Sequence, residues 1–296
     1  MKKLFTTLTI IAFFALNAQT TANRFFYELT FKPKKDSARL DKVMTVLDVV
    51  DGKSIFRDYT MIAQDSLLKA KIEMMQKSGT FQDLSKEMKM PKFGYKITKK
   101  YPEMEVQYSE TMANGMSPIQ LAYNETPQFE WKLFPKKMKI GEYNAQKATT
   151  TFGGRTWTAW FCNDIPFPDG PYKFSGLPGL IVKVEDEDKN YSWELQGNKK
   201  VNDFDEKTQM EKIMPGGAGS IVEVSREKFE KSFDDYKKDP FSSFRSQMTP
   251  EIMERKMQGS DKTIGEMIKD QEKRTKDFYN ANDNPIEIPQ EKEKKK

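Results

Sequence analysis

GGRTWTAWFCNDIPFPDGPYKFSGLPGLIVKVE, residues 153–185, is the densest run of glycine, proline and aromatic residues in the chain. It reads as a strand, a proline-punctuated crossing and a second strand. In the first strand Trp157, Ala159 and Phe161 alternate with Thr158, Trp160 and Cys162, so successive side chains point to opposite faces and each face carries a tryptophan. A strand of that kind is covered on both sides, either by two layers or by one layer and a bound ligand. In the crossing, Pro166, Pro168, Pro171 and Pro178 each fix φ and remove an N–H donor, which excludes ordinary helix and central strand. Gly170, Gly176 and Gly179 supply positions where φ is positive or another backbone comes close. Phe174, Leu177, Leu180 and Ile181 give the crossing apolar side chains of its own to bury.

Working outward, the same period-two pattern recurs. Gly153-Gly154 marks a tight hairpin between strands at Tyr143–Phe152 and Thr156–Cys162, and Leu180–Glu185 pairs with Tyr191–Gln196. Further strands are predicted at Arg24–Lys32, Val43–Val50, Ser54–Asp58, within Phe93–Glu110 on either side of Tyr101-Pro102, at Ile119–Asn124, Phe129–Phe134 and Ser220–Val224. Asp51-Gly52 is a strong hairpin signal, because both central positions of a type I′ turn need positive φ. Leu67, Leu68, Ile72 and Met75 carry helical spacing within 61–88. Ser225 and Thr249-Pro250-Glu251 are helix starts. The expected architecture is α+β and mainly antiparallel: a curved, open-barrel-like sheet, comparable by analogy with LolA-like carriers, with helices over one face. Its parts are a β-rich body over 19–224 with the helical insertion near 61–88, a helical C-terminal region over 225–282, and a disordered charged tail over 283–296.

The hexapeptide Gly176-Leu177-Pro178-Gly179-Leu180-Ile181 is the motif that names the GLPGLI family, and the chain resembles a full-length member. The GRTWTAWF strand and the IPFPDGPYKF crossing before it resemble the family's pattern too. The resemblance implies an exported protein of the Bacteroidota cell envelope, rich in β-structure, with no assigned activity and no catalytic residue to carry over. Physically, a buried apolar loop explains the motif without a ligand; a binding loop is the other reading. The candidate ligand-binding residues around it are Arg155, Trp157, Trp160, Asp164, Asp169, Tyr172 and Lys173.

Export is also expected from the N-terminus. Lys2 and Lys3 precede an apolar run from Leu4 to Leu16 and then Asn17-Ala18-Gln19, the layout of a signal peptide over residues 1–18 cut after Ala18. No run downstream has the roughly 20 apolar residues needed to span a bilayer, so an integral membrane protein is not expected. The single cysteine, Cys162, has no partner for an internal disulfide and reads as a small buried residue. Histidine is absent, which removes Ser/His/Asp and Cys/His mechanisms and His-ligated metals.

What survives is carboxylate chemistry, for which Asp164 and Asp169 are the pair to consider. Cu(I) held by thioethers is a further alternative, with Met74, Met75, Met88, Met90, Met253 and Met257 in view, against the plainer reading of methionine as core filler. No catalytic residue, metal site or cofactor is assigned. The net charge of +5 is small and interleaved with acids, which speaks against nucleic acid. The leading expectation is a non-enzymatic binding or accessory protein, in the periplasm, at the outer membrane or secreted, whose partner is a lipid or other apolar ligand, a lipidated protein or a peptide.

Overall fold

The computed structural model describes residues 20–79, 89–112, 119–213, 221–256 and 261–289. The expected signal peptide, the end of the helical insertion at 80–88, the first residue of the strand expected at Ser220–Val224 and the last residues of the tail lie outside these.

Among the described residues, twelve strands form one sheet: β1 (Ala22–Phe31), β2 (Asp41–Val50), β3 (Lys53–Asp58), β4 (Tyr95–Lys100), β5 (Glu105–Met112), β6 (Ile119–Glu125), β7 (Lys132–Ile140), β8 (Tyr143–Phe152), β9 (Arg155–Cys162), β10 (Leu180–Asp186), β11 (Tyr191–Val201) and β12 (Ile221–Glu223). Their order is β12-β6-β5-β4-β3-β2-β1-β11-β10-β9-β8-β7, and the sheet is curved and unclosed. It is mainly antiparallel, as expected. The exception is β12, which pairs parallel to β6. At Gly153-Gly154 both turn residues have positive φ, as a type I′ turn needs; in the β2–β3 turn Gly52 does and Asp51 does not, so that hairpin closes without the type I′ geometry expected of it.

Alternation sets one inner face. Phe25, Tyr27, Leu29 and Phe31 of β1 lie opposite Leu47 of β2 and Leu195, Trp193 and Tyr191 of β11, and all are buried. The register carries this face on through Phe56, Ile97 and Tyr108 to Tyr123, and in the other direction through Val184 and Ala159. Trp157 lies on this side, 4.8 Å from the ring of Phe174 in the crossing. Trp160 pairs with Lys183 and Lys147 at positions of the opposite parity, as the alternation requires.

Helices are a minority. The insertion forms α1 (Thr60–Ala63) and α2 (Asp65–Ser78), and α3 is Gln209–Ile213. Within α2 only Leu68 is buried, so this helix rides on the sheet's margin. The cover over the inner face comes chiefly from the crossing between β9 and β10, where Asp169 to Ser175 are all buried. The C-terminal helices are α4 (Arg226–Lys238), α5 (Ser242–Gln247), α6 (Pro250–Glu254) and α7 (Ile264–Ala281). Ser225 and Thr249 cap α4 and α6 as their sequences demand. Phe229 of α4 packs on Tyr108 and Tyr123, with ring centroids 5.5 and 5.0 Å apart.

Three expectations are corrected. The strand expected at Phe129–Phe134 begins at Lys132 instead, because Phe129 and Trp131 leave the sheet to pack on Phe174. The tail expected to be disordered from 283 is docked over 284–288: Asn284 and Ile286 are buried, and the Ile288 N–H donates to Gly153 O at 2.8 Å. Its polar composition hid one apolar anchor, Ile286, and one carboxylate, Glu287, with partners waiting in the body of the fold. Met74 and Met90 are not core fillers; they are 60 % and 79 % exposed. Met88 and Met257 lie outside the described residues.

Candidate functional site

The crossing from Asn163 to Gly179 behaves as a plug. Its own backbone ties it into a compact loop: Gly176 N–H donates to Pro168 O at 3.0 Å, Leu180 N–H to Ile165 O at 3.0 Å and Ile181 N–H to Asp169 O at 2.9 Å. The motif glycines have separate jobs. Gly176 has φ +87°, a left-handed value that side chains resist. At Gly179 a Cβ would lie 2.2 Å from the Cys162 carbonyl oxygen, so only glycine lets the chain cross the end of β9. Leu177, Leu180 and Ile181 are buried, and Pro178 points outward. The Tyr27 hydroxyl, from the centre of the sheet, donates to Ile181 O at 2.9 Å, and Trp131 Nε1 donates to Ser175 O at 2.8 Å.

Two buried lysines fix the plug. Lys99 of β4 is fully buried and donates to the carbonyls of Gly170, Tyr172 and Phe174 at 2.7, 3.1 and 3.2 Å. It also pairs with Asp169, likewise fully buried. The other oxygen of Asp169 accepts from Ser54 Oγ at 2.6 Å and Tyr101 OH at 2.5 Å. Burial pulls the Lys99 ammonium below its usual range, and Asp169 opposes that pull. An ammonium with three carbonyls and a carboxylate around it is a cation spent on shaping the loop.

Lys173 comes from the plug itself. It pairs with Glu125 and with Glu287, the latter at 2.5 Å, and donates to Tyr123 OH at 2.9 Å. The rings of Tyr108, Tyr123 and Tyr172 surround it at 5.3, 5.2 and 5.4 Å, an aromatic cage occupied from within the chain. Burial would lower the Lys173 pKa, but Tyr123, Glu287 and Glu125 outweigh it and hold the group above its usual value. Tyr172 adopts φ +53°, a strained value for a large residue, held by its stack on Trp193 and by its hydroxyl donating to Glu287 at 2.7 Å.

Arg155 sits at the same end, holding the docked tail. It donates to Ile286 O, Pro285 O and Asn284 Oδ1 at 2.9, 2.8 and 2.9 Å, and to Asp186 at 3.1 Å. The structure therefore gathers Arg155, Trp157, Asp169, Tyr172 and Lys173 around one plug and its tail strap. Asp164 stands apart: it is exposed beside Cys162, while Asp169 is sealed against Lys99. The two carboxylates do not share a site. Trp160 is buried on the opposite side of the sheet.

Sequence reasoning missed Lys99, Ser54, Tyr101, Glu125, Tyr123 and Glu287. One signal was present, since Tyr95, Ile97 and Lys99 share a parity in β4 and place a lysine on an apolar face. Glu287 gave none; it lies 114 residues from Lys173 in a stretch of tail-like composition. Two clefts of about 450 and 390 Å³ are lined by Gln128, Glu130, Lys132, Thr149, Thr150, Thr151 and Thr156, and by Lys34, Lys35, Asp36, Ser37 and Asp283. Neither borders the motif. Among the described residues, no helix is long and apolar enough to cross a membrane.

Comparison with known proteins adds the following. No curated protein matches the chain. Two solved structures of PNGF-II, in C2 and P21 space groups, are similar to it with TM-scores of 0.47 and 0.46 and 16 % identity. The alignments cover 72 % of this chain and 32 % and 33 % of those chains, so it spans about a third of their length. Residues 152–183 match a family model described as a protein of unknown function, Porph_ging, and this is the stretch that holds the plug and its Gly176–Ile181 motif.

Proposed function

We propose that this chain is an exported, non-enzymatic accessory protein of the bacterial cell envelope, which meets a peptide or envelope protein at its surface and does not enclose an apolar ligand. The observation that carries the reading is the plug. A lipid carrier needs a vacant apolar concavity, and here the inner face is filled by Tyr172, Phe174 and Leu177 of the chain's own crossing. The ionisable groups at the plug point the same way. Lys99, Asp169 and Lys173 are sealed and paired within the fold, so a substrate atom would have to displace the plug's own carbonyls to reach them.

The test is to express the full chain in a bacterial host that exports it and to weigh the purified protein under native conditions. The reading expects an N-terminus at Gln19, recovery from the envelope or the medium, and the mass of the polypeptide alone. An intact Met1 in the cytosol would overturn the export part. A stoichiometric apolar ligand that survives purification would overturn the rest.

A further inference from the structure

The strand at the β8 end of the sheet, β7, reads Lys132-Leu133-Phe134-Pro135-Lys136-Lys137-Met138-Lys139-Ile140 and has one free edge. It carries four lysines and no acid. None of the four has an ion pair among the described residues, unlike Lys99 and Lys173 in the plug. All four are exposed. Beside them Leu133 and Met138 are 51 % and 41 % exposed, large apolar side chains left in water. Phe134 lies between two ammonium groups, Lys132 and Lys147, each about one ring-contact away at 5.5 and 5.4 Å.

Lysine and proline on an edge strand are a device against unwanted strand pairing. That accounts for Pro135 and for part of the charge. It does not account for Leu133 and Met138, which a purely protective edge would replace with polar residues. The backbone also says what kind of partner fits. Pro135 has no N–H to offer, and the register breaks between Leu133 and Lys137, where β7 spends extra residues against β8. The free edge is thereby split into two short pieces, and an added strand has no continuous ladder to join. A partner that makes no backbone demand, offers dense negative charge and accepts a few apolar side chains is the surface of an anionic bilayer.

We propose that β7 docks edge-on upon anionic phospholipid membranes, the lysines meeting headgroup phosphates while Leu133 and Met138, which the register places on opposite faces of the sheet, flank the contact from either side. The proposal stands independently of export, because it concerns the purified protein and a bilayer alone.

The experiment is co-sedimentation of the full chain with vesicles of phosphatidylcholine, with and without phosphatidylglycerol. Binding should appear with phosphatidylglycerol and weaken as salt shortens the screening length. Each lysine at an anionic surface contributes about fivefold, so the triple change Lys136→Gln, Lys137→Gln, Lys139→Gln should lose about a hundredfold. Leu133→Ser with Met138→Ser should weaken binding at constant charge. The same number of neutralised lysines on α2 and its neighbourhood, Lys69→Gln, Lys77→Gln and Lys89→Gln, should leave it nearly unchanged, with circular dichroism and melting confirming that each variant folds. Equal binding to both vesicle types would overturn the proposal. So would a β7 triple variant that binds like the α2 set, since the C-terminal lysines present in every variant would then account for the attraction. Capture of soluble poly-glutamate in place of vesicles would assign the edge to acidic peptides and overturn it as well; should the triple variant aggregate, the salt and lipid dependence of the unaltered chain still decides.

Discussion

The crossing between β9 and β10 has little regular secondary structure and is buried; β7 is a strand, interrupted by one register break, and is exposed. In the crossing, positive charge is sealed inside and answered in full, by three carbonyls and a carboxylate at Lys99 and by two carboxylates and three rings at Lys173. On β7 four ammonium groups stand in water without a carboxylate partner among the described residues. The difference teaches that in this protein the label of a segment does not tell where it sits. What decides is whether its polar groups can be satisfied by the chain itself. Desolvating an ammonium costs several kcal/mol, and the plug meets that demand with its own backbone, while β7 leaves it to solvent or a partner.

The sharpest way to break this comparison is to remove the buried charge. Lys99→Met leaves Asp169 buried without its cation and three carbonyls without a donor, so stability should fall by about 3–5 kcal/mol, read by chemical denaturation. Asp169→Asn should fall less, because Ser54 and Tyr101 can still donate to the amide oxygen. Next comes the crossing itself: Gly179→Ala drives a Cβ into the Cys162 carbonyl and should cost about 3 kcal/mol, visible as a lowered melting temperature. Gly52→Ala in the β2–β3 turn meets nothing within 4 Å and should cost less, through its positive φ alone.

A smaller effect is expected at the strap. Glu287→Ala removes partners of Lys173, Arg226 and Tyr172 and should cost about 2 kcal/mol, since Lys173 keeps Glu125. Burial would raise the Glu287 pKa, but Lys173 and then Arg226 outweigh it and hold the carboxyl below its usual range. Its contribution is therefore full above the unfolded carboxyl pKa of about 4.3 and fades as pH falls through the lower folded value. Wild type and variant should converge in acid. At the small end, Lys136→Gln and Lys137→Gln on β7 should each change stability by no more than about 0.5 kcal/mol. A large loss there would mean that the edge carries structure that the ion-pair pattern does not show.

Most of the sheet was legible because local signals agreed with the tertiary answer. Alternation in β9 placed Trp157 and Trp160 on opposite sides, and Asp51-Gly52 and Gly153-Gly154 marked where the chain turns back, although only the second pair has positive φ at both residues. Where a distant contact overrode local pattern, reading failed. Phe129 and Trp131 look like strand residues but are drawn out to pack on Phe174. Asn284 to Ile288 look like tail but complete the shell of Arg155, Tyr172 and Lys173. That the crossing buries side chains of its own was legible from its density of glycine, proline and aromatics; that Asp164 stays outside it was not. Their partners Lys99, Tyr123 and Glu287 were not, because they converge only through strand order and the docking of a segment far along the chain.

Native-state hydrogen exchange at single-residue resolution tests the central claim most directly. In a plugged sheet the amides of Gly176, Leu180 and Ile181, which donate to Pro168, Ile165 and Asp169, open only with the whole sheet, at the free energy shown by β1 and β11. If those amides exchange as freely as the outer edge of β7, the crossing is a loose loop over a vacant face, and the account of a plugged sheet is wrong.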